Sequence, residues 1–161
     1  MTAGSAESLA ERPAFTPESV RDDLALRIER GARAEGEPMP EYEGQWVGRL
    51  RRIGAAKLRH WGLPCLVESA ELLISELVTN ALRHGTGGEV AFRFLLAMDV
   101  LVIEVDDGSP GRPRVHEADP DEESGRGMLI VASVAASWGV SPDGTTTWCT
   151  LTIPTTTRSS R

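Results

Sequence analysis

Two polar side chains four residues apart, Glu76 and Asn80, have the types and spacing needed for chemistry on a phosphate. They belong to a segment whose apolar residues recur at helical spacing, so both project from one edge of a predicted helix. An amide oxygen can ligate a hard cation, and a carboxylate beside it can orient or deprotonate a nucleophile. The pair therefore predicts a metal-assisted phosphate site on a rigid element.

Two glycine-containing segments later in the chain supply the other parts of a nucleotide site. An apolar predicted strand is followed by Asp106 and Gly108, and a carboxylate there can accept a hydrogen bond from the exocyclic amine of adenine. A competing interpretation is that Asp106 only forms a turn. Gly125 and Gly127 stand at the start of a predicted helix, where backbone N–H groups can approach phosphate oxygens.

Apolar periodicity predicts the elements that position these residues. Helices are predicted at 43–61, 66–83 and 127–136, and strands at 90–96, 100–105 and 148–153. Helices followed by a mixed, mainly antiparallel sheet with one crossing helix indicate a two-layer α/β domain.

The beginning of the chain has a different character. Residues 1–16 are small, polar and charged, which favours disorder. Val20, Leu24 and Ile28 follow at helical spacing, so we expect a short helix within 17–36. The predicted organisation is an extension and linker at 1–40, a folded domain at 41–154 and a flexible tail at 155–161.

Composition limits the class of partner. Seventeen basic and 24 acidic residues give a net charge of -7, which argues against nucleic acid and against an anionic membrane surface. No run approaches the roughly 20 apolar residues of a membrane span, so a soluble, cytoplasmic protein is expected. Cys65 and Cys149 lie far apart in apolar segments and are expected to be reduced thiols.

The first predicted helix has a basic face. Its members are Arg49, Arg51, Arg52, Lys57 and Arg59. This face is interpreted either as a solvated helix surface or as a docking surface for an acidic partner.

The three polar and glycine-rich segments together resemble the ATPase superfamily of gyrase, heat-shock chaperones, histidine kinases and MutL, abbreviated GHKL. The run from Glu76 to His84 resembles its N box, Val105 to Gly108 its first glycine box, and Gly125 to Met128 its second. The run Ser-Glu-Leu-Val-Thr-Asn-Ala and the short length are most similar to the small bacterial anti-sigma-factor serine/threonine kinases. The resemblance covers roughly positions 43 to 154 and implies the Bergerat ATP-binding fold.

The resemblance implies roles for the matching residues. Asn80 would ligate a Mg²⁺ ion that bridges the phosphates of ATP, and Glu76 would activate the attacking hydroxyl or water. Asp106 would bind the adenine amino group, with Gly108 allowing the base to lie close. Arg83 and His84 would lie at the end of the N-box helix, near the phosphates, and the resemblance gives them no defined role.

Further nucleotide contacts are implied at two other places. The phosphates would be bound by Gly125, Arg126, Gly127 and Met128. A threonine after Gly144 would contact the adenine; Thr146 is favoured, with Thr145 and Thr147 as alternatives.

The implied function is ATP-dependent phosphorylation of an anti-anti-sigma protein, sequestration of a sigma factor, or both, in the regulation of transcription. The alternative is a non-catalytic ATP-binding module that docks a partner. Two departures bear on this choice: Pro110 stands where the first glycine box has its second glycine, and the predicted lid, 109–124, is acidic. Sheet edges and the helical extension also lead us to expect a homodimer.

Overall fold

The computed structural model describes residues 11–31, 37–109 and 123–155, and within the last range the side chains of 123–126 are not described. In chain order the strands and α helices are β1 Val20–Glu29, α1 Glu41–His60, α2 Val67–His84, β2 Glu89–Ala97, β3 Val100–Asp106, α3 Glu123–Val134, β4 Ser137–Val140 and β5 Thr146–Thr152. Short 3-10 turns at Pro17–Ser19 and Pro64–Leu66 precede β1 and α2.

The described strands form one sheet in the order β1-β2-β3-β5-β4, and every neighbouring pair is antiparallel. The three described α helices pack on one face of this sheet, which we call the helix face. The predicted two-layer α/β architecture is therefore confirmed.

Strand alternation builds the core between the helices and the sheet, because successive side chains point to opposite faces. Phe92, Phe94 and Ile103 are at most 1% exposed and belong to the same cluster as the apolar stripe of α2. Trp61 at the end of α1 stacks on Phe94 with ring centroids 5.8 Å apart. These contacts hold α2, the helix that bears Glu76, directly over the central strands.

The opposite face of the sheet, which we call the open face, has a smaller apolar cluster of Leu95, Ala97 and Val102. Phe15 packs against this cluster, and Arg12 forms an ion pair with the largely buried Glu104. The expectation of disorder is therefore wrong for residues 11–16, since an aromatic and an ion pair anchor that segment to the sheet. Residues 1–10 lie outside the described range.

The helix predicted within 17–36 is also wrong, because Val20–Glu29 forms strand β1 and pairs along its length with β2. Spacing by four residues satisfies both a helix and every second position of a strand. Leu26, which the helical interpretation left out, completes the alternation, and Ile28 is fully buried in the main core. The sheet therefore includes a strand that lies N-terminal to the predicted domain boundary at 41.

Other elements differ less from expectation. α3 spans Glu123–Val134, so it begins four residues before the predicted start at 127 and ends two residues before the predicted end. The four-residue strand β4 was not predicted. Predictions for the lid at 110–122 and the tail beyond 155 lie outside the described residues.

The basic face of α1 is partly engaged within the chain. Lys57 donates to Asp22 at 2.8 Å, and Arg51 lies 3.4 Å from Glu71. Arg49 lies over the Trp46 ring, 5.0 Å from its centroid. These contacts support the interpretation as a solvated surface, at least for these cations.

Cys65 is exposed, Cys149 is buried, and both are free thiols, as expected. Among the helices of the described part of the chain, none combines the length and apolar character required to cross a bilayer.

Candidate nucleotide-binding site

Helix α2 carries the predicted catalytic pair. Glu76 and Asn80 are both half-buried and lie one turn apart, while Leu73, Leu77 and Ala81 on the neighbouring stripe are buried in the core. The apolar stripe fixes the helix, so the two polar side chains have a defined position. The structure thus keeps together the carboxylate and the amide that the sequence grouped.

Glu76 faces α3. A Cβ atom built on Gly127 would lie 2.7 Å from Glu76 Oε2, so glycine at that position allows the carboxylate and α3 to approach closely. Burial raises the pKa of Glu76 above its ordinary value, although the positive charge of Arg83 opposes the shift. A carboxylate with a raised pKa accepts a proton more readily, which suits a general base.

The phosphate-binding candidates share α3. Gly125, Arg126, Gly127 and Met128 all fall inside this helix. Met128 is 2% exposed and packs in the main core, so its side chain anchors α3 beneath the site. Its role is therefore structural, while Gly127 is the member shown beside Glu76.

Asp106 does not lie with the Glu76 pair. It is opposite Ala91 on one side and Thr146 on the other, and it lines a cavity of about 290 Å³ on the open face with Arg93 and Glu104. Its Oδ1 accepts the Gly108 N–H at 2.8 Å, so Asp106 makes the turn that was the competing interpretation. The assignment of Asp106 to adenine is not supported by its position.

Asp107 is the carboxylate on the side of the helices. Its Cβ lies 3.1 Å from the position that a Cβ would take on Gly85, the residue that ends α2. Burial raises the pKa of Asp107, and Oδ1 accepts the Ser109 N–H at 2.8 Å. Strand alternation is the signal that could have identified it, because Val105 is a core residue and Asp106 must then point the other way.

The loops on either side of Asp107 are joined. The Thr86 N–H donates to Ser109 Oγ at 2.6 Å, and the two hydroxyls lie 2.9 Å apart. Gly108, with φ of 71°, allows the chain to turn here. This connects the end of α2 to the end of β3, so Asp107 is held relative to Asn80.

The same alternation decides the threonine register. Thr146 is opposite Asp106 and lines the open-face cavity, whereas Thr147 is opposite the core residue Val105. The carbonyl of Thr145 accepts the Asp107 N–H at 3.1 Å. Thr147 therefore lies on the helix face and Thr146 on the open face, while the Thr145 hydroxyl donates to Asp143 at 2.9 Å.

Sequence reasoning also missed Arg30. Its Nε donates to the Leu82 carbonyl at 2.9 Å, and its backbone N–H donates to Gly88. A cation at the C-terminal end of α2 stabilises the helix through its dipole and fixes the glycine loop that follows. No signal in the sequence indicated this, because Arg30 followed a segment interpreted as a helix.

The donor set fits a magnesium ion carried by a nucleotide. In the described residues no three or more His, Cys, Asp or Glu side chains cluster as a metal site. Mg²⁺ is commonly held by one or two protein oxygens together with phosphates and water. The Asn80 amide oxygen would be such a protein ligand.

A comparison with protein families agrees with this geometry. The model of the histidine kinase-like ATPase domain matches residues 43–151, which is more than half of the chain. No curated protein matches the sequence. The matched range contains α2, the β3 end and α3, and ATP is the nucleotide that such a domain implies. The chain belongs to the histidine kinase-like ATPase domain family.

Proposed function

We propose that this chain is an ATP-binding regulatory protein that transfers the γ-phosphate of ATP to a serine or threonine of a protein partner. The observation that carries the proposal is Glu76, which is half-buried against Gly127, has a pKa raised by burial and lies one turn from Asn80. A base in that position can act on a hydroxyl presented beside the terminal phosphate.

The transfer requires little covalent chemistry from the protein. The acceptor hydroxyl oxygen bonds to the γ-phosphorus, the bond from that phosphorus to the β–γ bridging oxygen breaks, and ADP leaves. Glu76 takes the hydroxyl proton. Mg²⁺, held by Asn80 and the phosphates, would neutralise charge that develops on the phosphate oxygens.

Recognition of the base is assigned to Asp107. One of its oxygens bonds to the Ser109 N–H, which fixes the carboxyl group and leaves the other oxygen to accept the adenine amino group. Guanine has a carbonyl oxygen at that position, and a carboxylate repels it. We therefore expect ATP to be preferred over GTP.

The proposed partners are an anti-anti-sigma protein as phosphate acceptor and a sigma factor as the sequestered protein, in the cytoplasm. The resemblance of the Glu76–His84 run to anti-sigma-factor kinases supports this choice. Phosphorylation of the acceptor would then control which partner is bound.

The test uses radiolabelled ATP and purified anti-anti-sigma proteins from the organism that encodes this chain. We expect label transfer by the wild type, a loss of at least about 100-fold in Glu76→Gln, and full activity in Asp106→Asn as the matched control. Tight Mg·ATP binding without transfer to any acceptor would overturn the kinase assignment. It would leave the alternative, a nucleotide-binding module that docks a partner.

A further inference from the structure

Arg30 holds both ends of the glycine loop that follows α2, residues 85–88. Its Nε donates to the carbonyl of Leu82 at 2.9 Å, before the loop, and its backbone N–H donates to the carbonyl of Gly88 at 2.8 Å, at the end of the loop. Leu82 belongs to the last turn of α2, where backbone carbonyls depend on partners other than the usual helical N–H groups. One residue therefore fixes where the loop begins and where it ends.

A second bond holds the middle of this loop. In a continued helix the Thr86 N–H would bond to the Leu82 carbonyl, but it donates to Ser109 Oγ at 2.6 Å. Arg30 thus binds the carbonyl, and Ser109 binds the N–H, that separate from each other where α2 ends. The loop is therefore held by Arg30 from the side of β1 and by Ser109 from the side of β3.

The same loop lies against the backbone of Asp107. A Cβ atom built on Gly85 would be 3.1 Å from the Asp107 Cβ, and one built on Gly87 would be 2.9 Å from the Asp107 carbonyl oxygen. A side chain at either glycine would displace its neighbours, so the loop and Asp107 are in close contact at two places. A displacement of the loop therefore displaces Asp107 as well.

The backbone at Arg30 is itself anchored. The N–H of the next residue, Gly31, donates to Glu43 Oε1 at 2.7 Å, and Glu43 is fully buried near the start of α1. This contact joins the end of β1 to α1. The Arg30 side chain therefore extends from a fixed backbone, which is what a residue that supports a binding site requires.

We propose that Arg30 is a positioning residue for recognition of the nucleotide base. It acts through the loop 85–88, which keeps the Asp107 carboxyl group where it accepts the amino group of adenine. This role rests on the recognition of adenine by Asp107 proposed above. It extends the site to a residue that follows β1 and precedes the family-matched range 43–151.

The test compares the binding of ATP and GTP, because only ATP presents an amino group at the position that Asp107 recognises. Arg30→Met keeps a long side chain but has no N–H donor. It should raise the dissociation constant for ATP about tenfold and leave that for GTP within about twofold of the wild type. A residue that only stabilised the fold would change both constants together. Calorimetric titration measures the two constants.

Two matched variants separate the hydrogen bond from the bulk of the side chain. Arg30→Lys retains a donor for a single carbonyl, so it should restore ATP binding to within about threefold of the wild type. Arg27→Met removes an arginine of β1 whose side chain is 77% exposed and pairs with the Glu89 side chain. It should leave the constants for ATP and GTP unchanged.

Ser109→Ala tests the loop from the other side, and it decides the question even if Arg30→Met does not fold. It removes the acceptor of the Thr86 N–H and should also weaken ATP binding about tenfold, with GTP unchanged. The double variant should lose much less than the roughly 100-fold expected of independent residues. The reason is that a loop released at one point is no longer positioned by the other bond.

Three results would each overturn the role of Arg30: wild-type affinity for ATP in Arg30→Met, equal losses for ATP and GTP, or a fully additive double variant. A wild type that binds ATP and GTP equally would contradict the recognition of adenine by Asp107, and the role of Arg30 with it. Only binding is measured, so failure of the proposed phosphate transfer would produce none of these results.

Discussion

Asp106 and Asp107 are adjacent in the chain but serve opposite faces of the sheet, and the two faces treat carboxylates differently. On the helix side, burial raises the pKa of Glu76 and Asp107. On the open face, hydrogen bonds from Arg93 lower the pKa of Asp23. Lys57 of α1 neutralises Asp22 in the same way, so Glu76 on α2 and Asp107 after β3 are the acids that a ligand with donors or a cation can satisfy. This contrast supports the proposal that the nucleotide binds beside Glu76 and Asp107.

The largest expected effect concerns packing. Phe94 on the helix face is fully buried between Trp61 and Phe92, so Phe94→Ala should lower the free energy of unfolding by about 3–5 kcal/mol. Leu95→Ala, in the small open-face cluster, should cost about 2 kcal/mol, the lower end for this type of change. Urea unfolding of both variants measures the contrast. Equal losses would show that the two faces are packed equally well.

Nucleotide binding should separate the two aspartates next. Asp107→Ala should raise the dissociation constant for ATP by about 30- to 100-fold, since a hydrogen bond to a charged group is worth about 2–3 kcal/mol. Asp106→Ala should change it by less than about threefold. Calorimetric titration with ATP and GTP gives both constants. The reverse order of effects would return the adenine site to Asp106.

The N-terminal ion pair offers a smaller test of the open face. Glu104 has a side chain only 11% exposed, so Arg12→Ala leaves a buried carboxylate with weaker compensation and should cost about 1–2 kcal/mol. The matched control is Arg27→Ala, whose ion pair with Glu89 is exposed and should be worth at most about 0.5 kcal/mol. Thermal unfolding compares the two. An Arg12→Ala variant as stable as the control would mean that segment 11–16 contributes nothing to the domain.

The smallest effects are those of pH, and the two faces should differ in sign. The raised pKa of Glu76 means that its contribution is complete below the unfolded value near 4.5 and is lost as the pH rises through the folded value. Glu76→Gln should therefore stabilise the unliganded protein at pH 7 by a few tenths of a kcal/mol, because the carboxyl is partly exposed. The gain should vanish below about pH 4.5.

Asp23→Asn should behave in the opposite way. The lowered pKa of Asp23 contributes stability above the unfolded value of 3.8, and this is lost as the pH falls through the folded value. The variant should be less stable than wild type by about 0.5 kcal/mol at pH 7 and equal to it in strong acid. Unfolding curves from pH 3 to pH 8 (roughly the range in which carboxyl groups titrate) test both signs. If the stability difference from wild type changed with pH in the same direction for both variants, the distinction between the two faces would be contradicted.

The long, strongly periodic elements were predictable from sequence, and the ambiguous ones were not. The apolar stripe of α2 fits the helical period, and β3 is a short apolar run rich in β-branched residues, which favours a strand over a helix. Val20, Leu24 and Ile28 in β1 fit both the helical and the strand period. The segment is a strand because it pairs with β2, and this long-range contact cannot be read from the local sequence. β4 has only four residues and depends on β5 in the same way.

The segments that form the site and their order along the chain were predictable from sequence. The face of the sheet on which each side chain lies was not. Glu76 and Asn80 share one helix, so their relation follows from spacing alone. Asp106 and Thr146 were each one residue from a position on the helix side, and in a strand a shift of one residue reverses the face. The face on which Asp106 and Thr146 lie is set by the pairing of β3 with β5, two strands that the predicted lid separates in the sequence.

The β3–β5 pair has a consequence for the length of that lid. Asp106 and Thr146 are cross-strand partners, so the whole intervening chain is a closed loop as far as the sheet is concerned. The entropy of closing a loop grows with the logarithm of its length, about 0.6 kcal/mol for each doubling. Insertions or deletions between Ser109 and Glu123 should therefore change stability little. The predicted lid can therefore differ in length while the pairing of β3 with β5 remains the same.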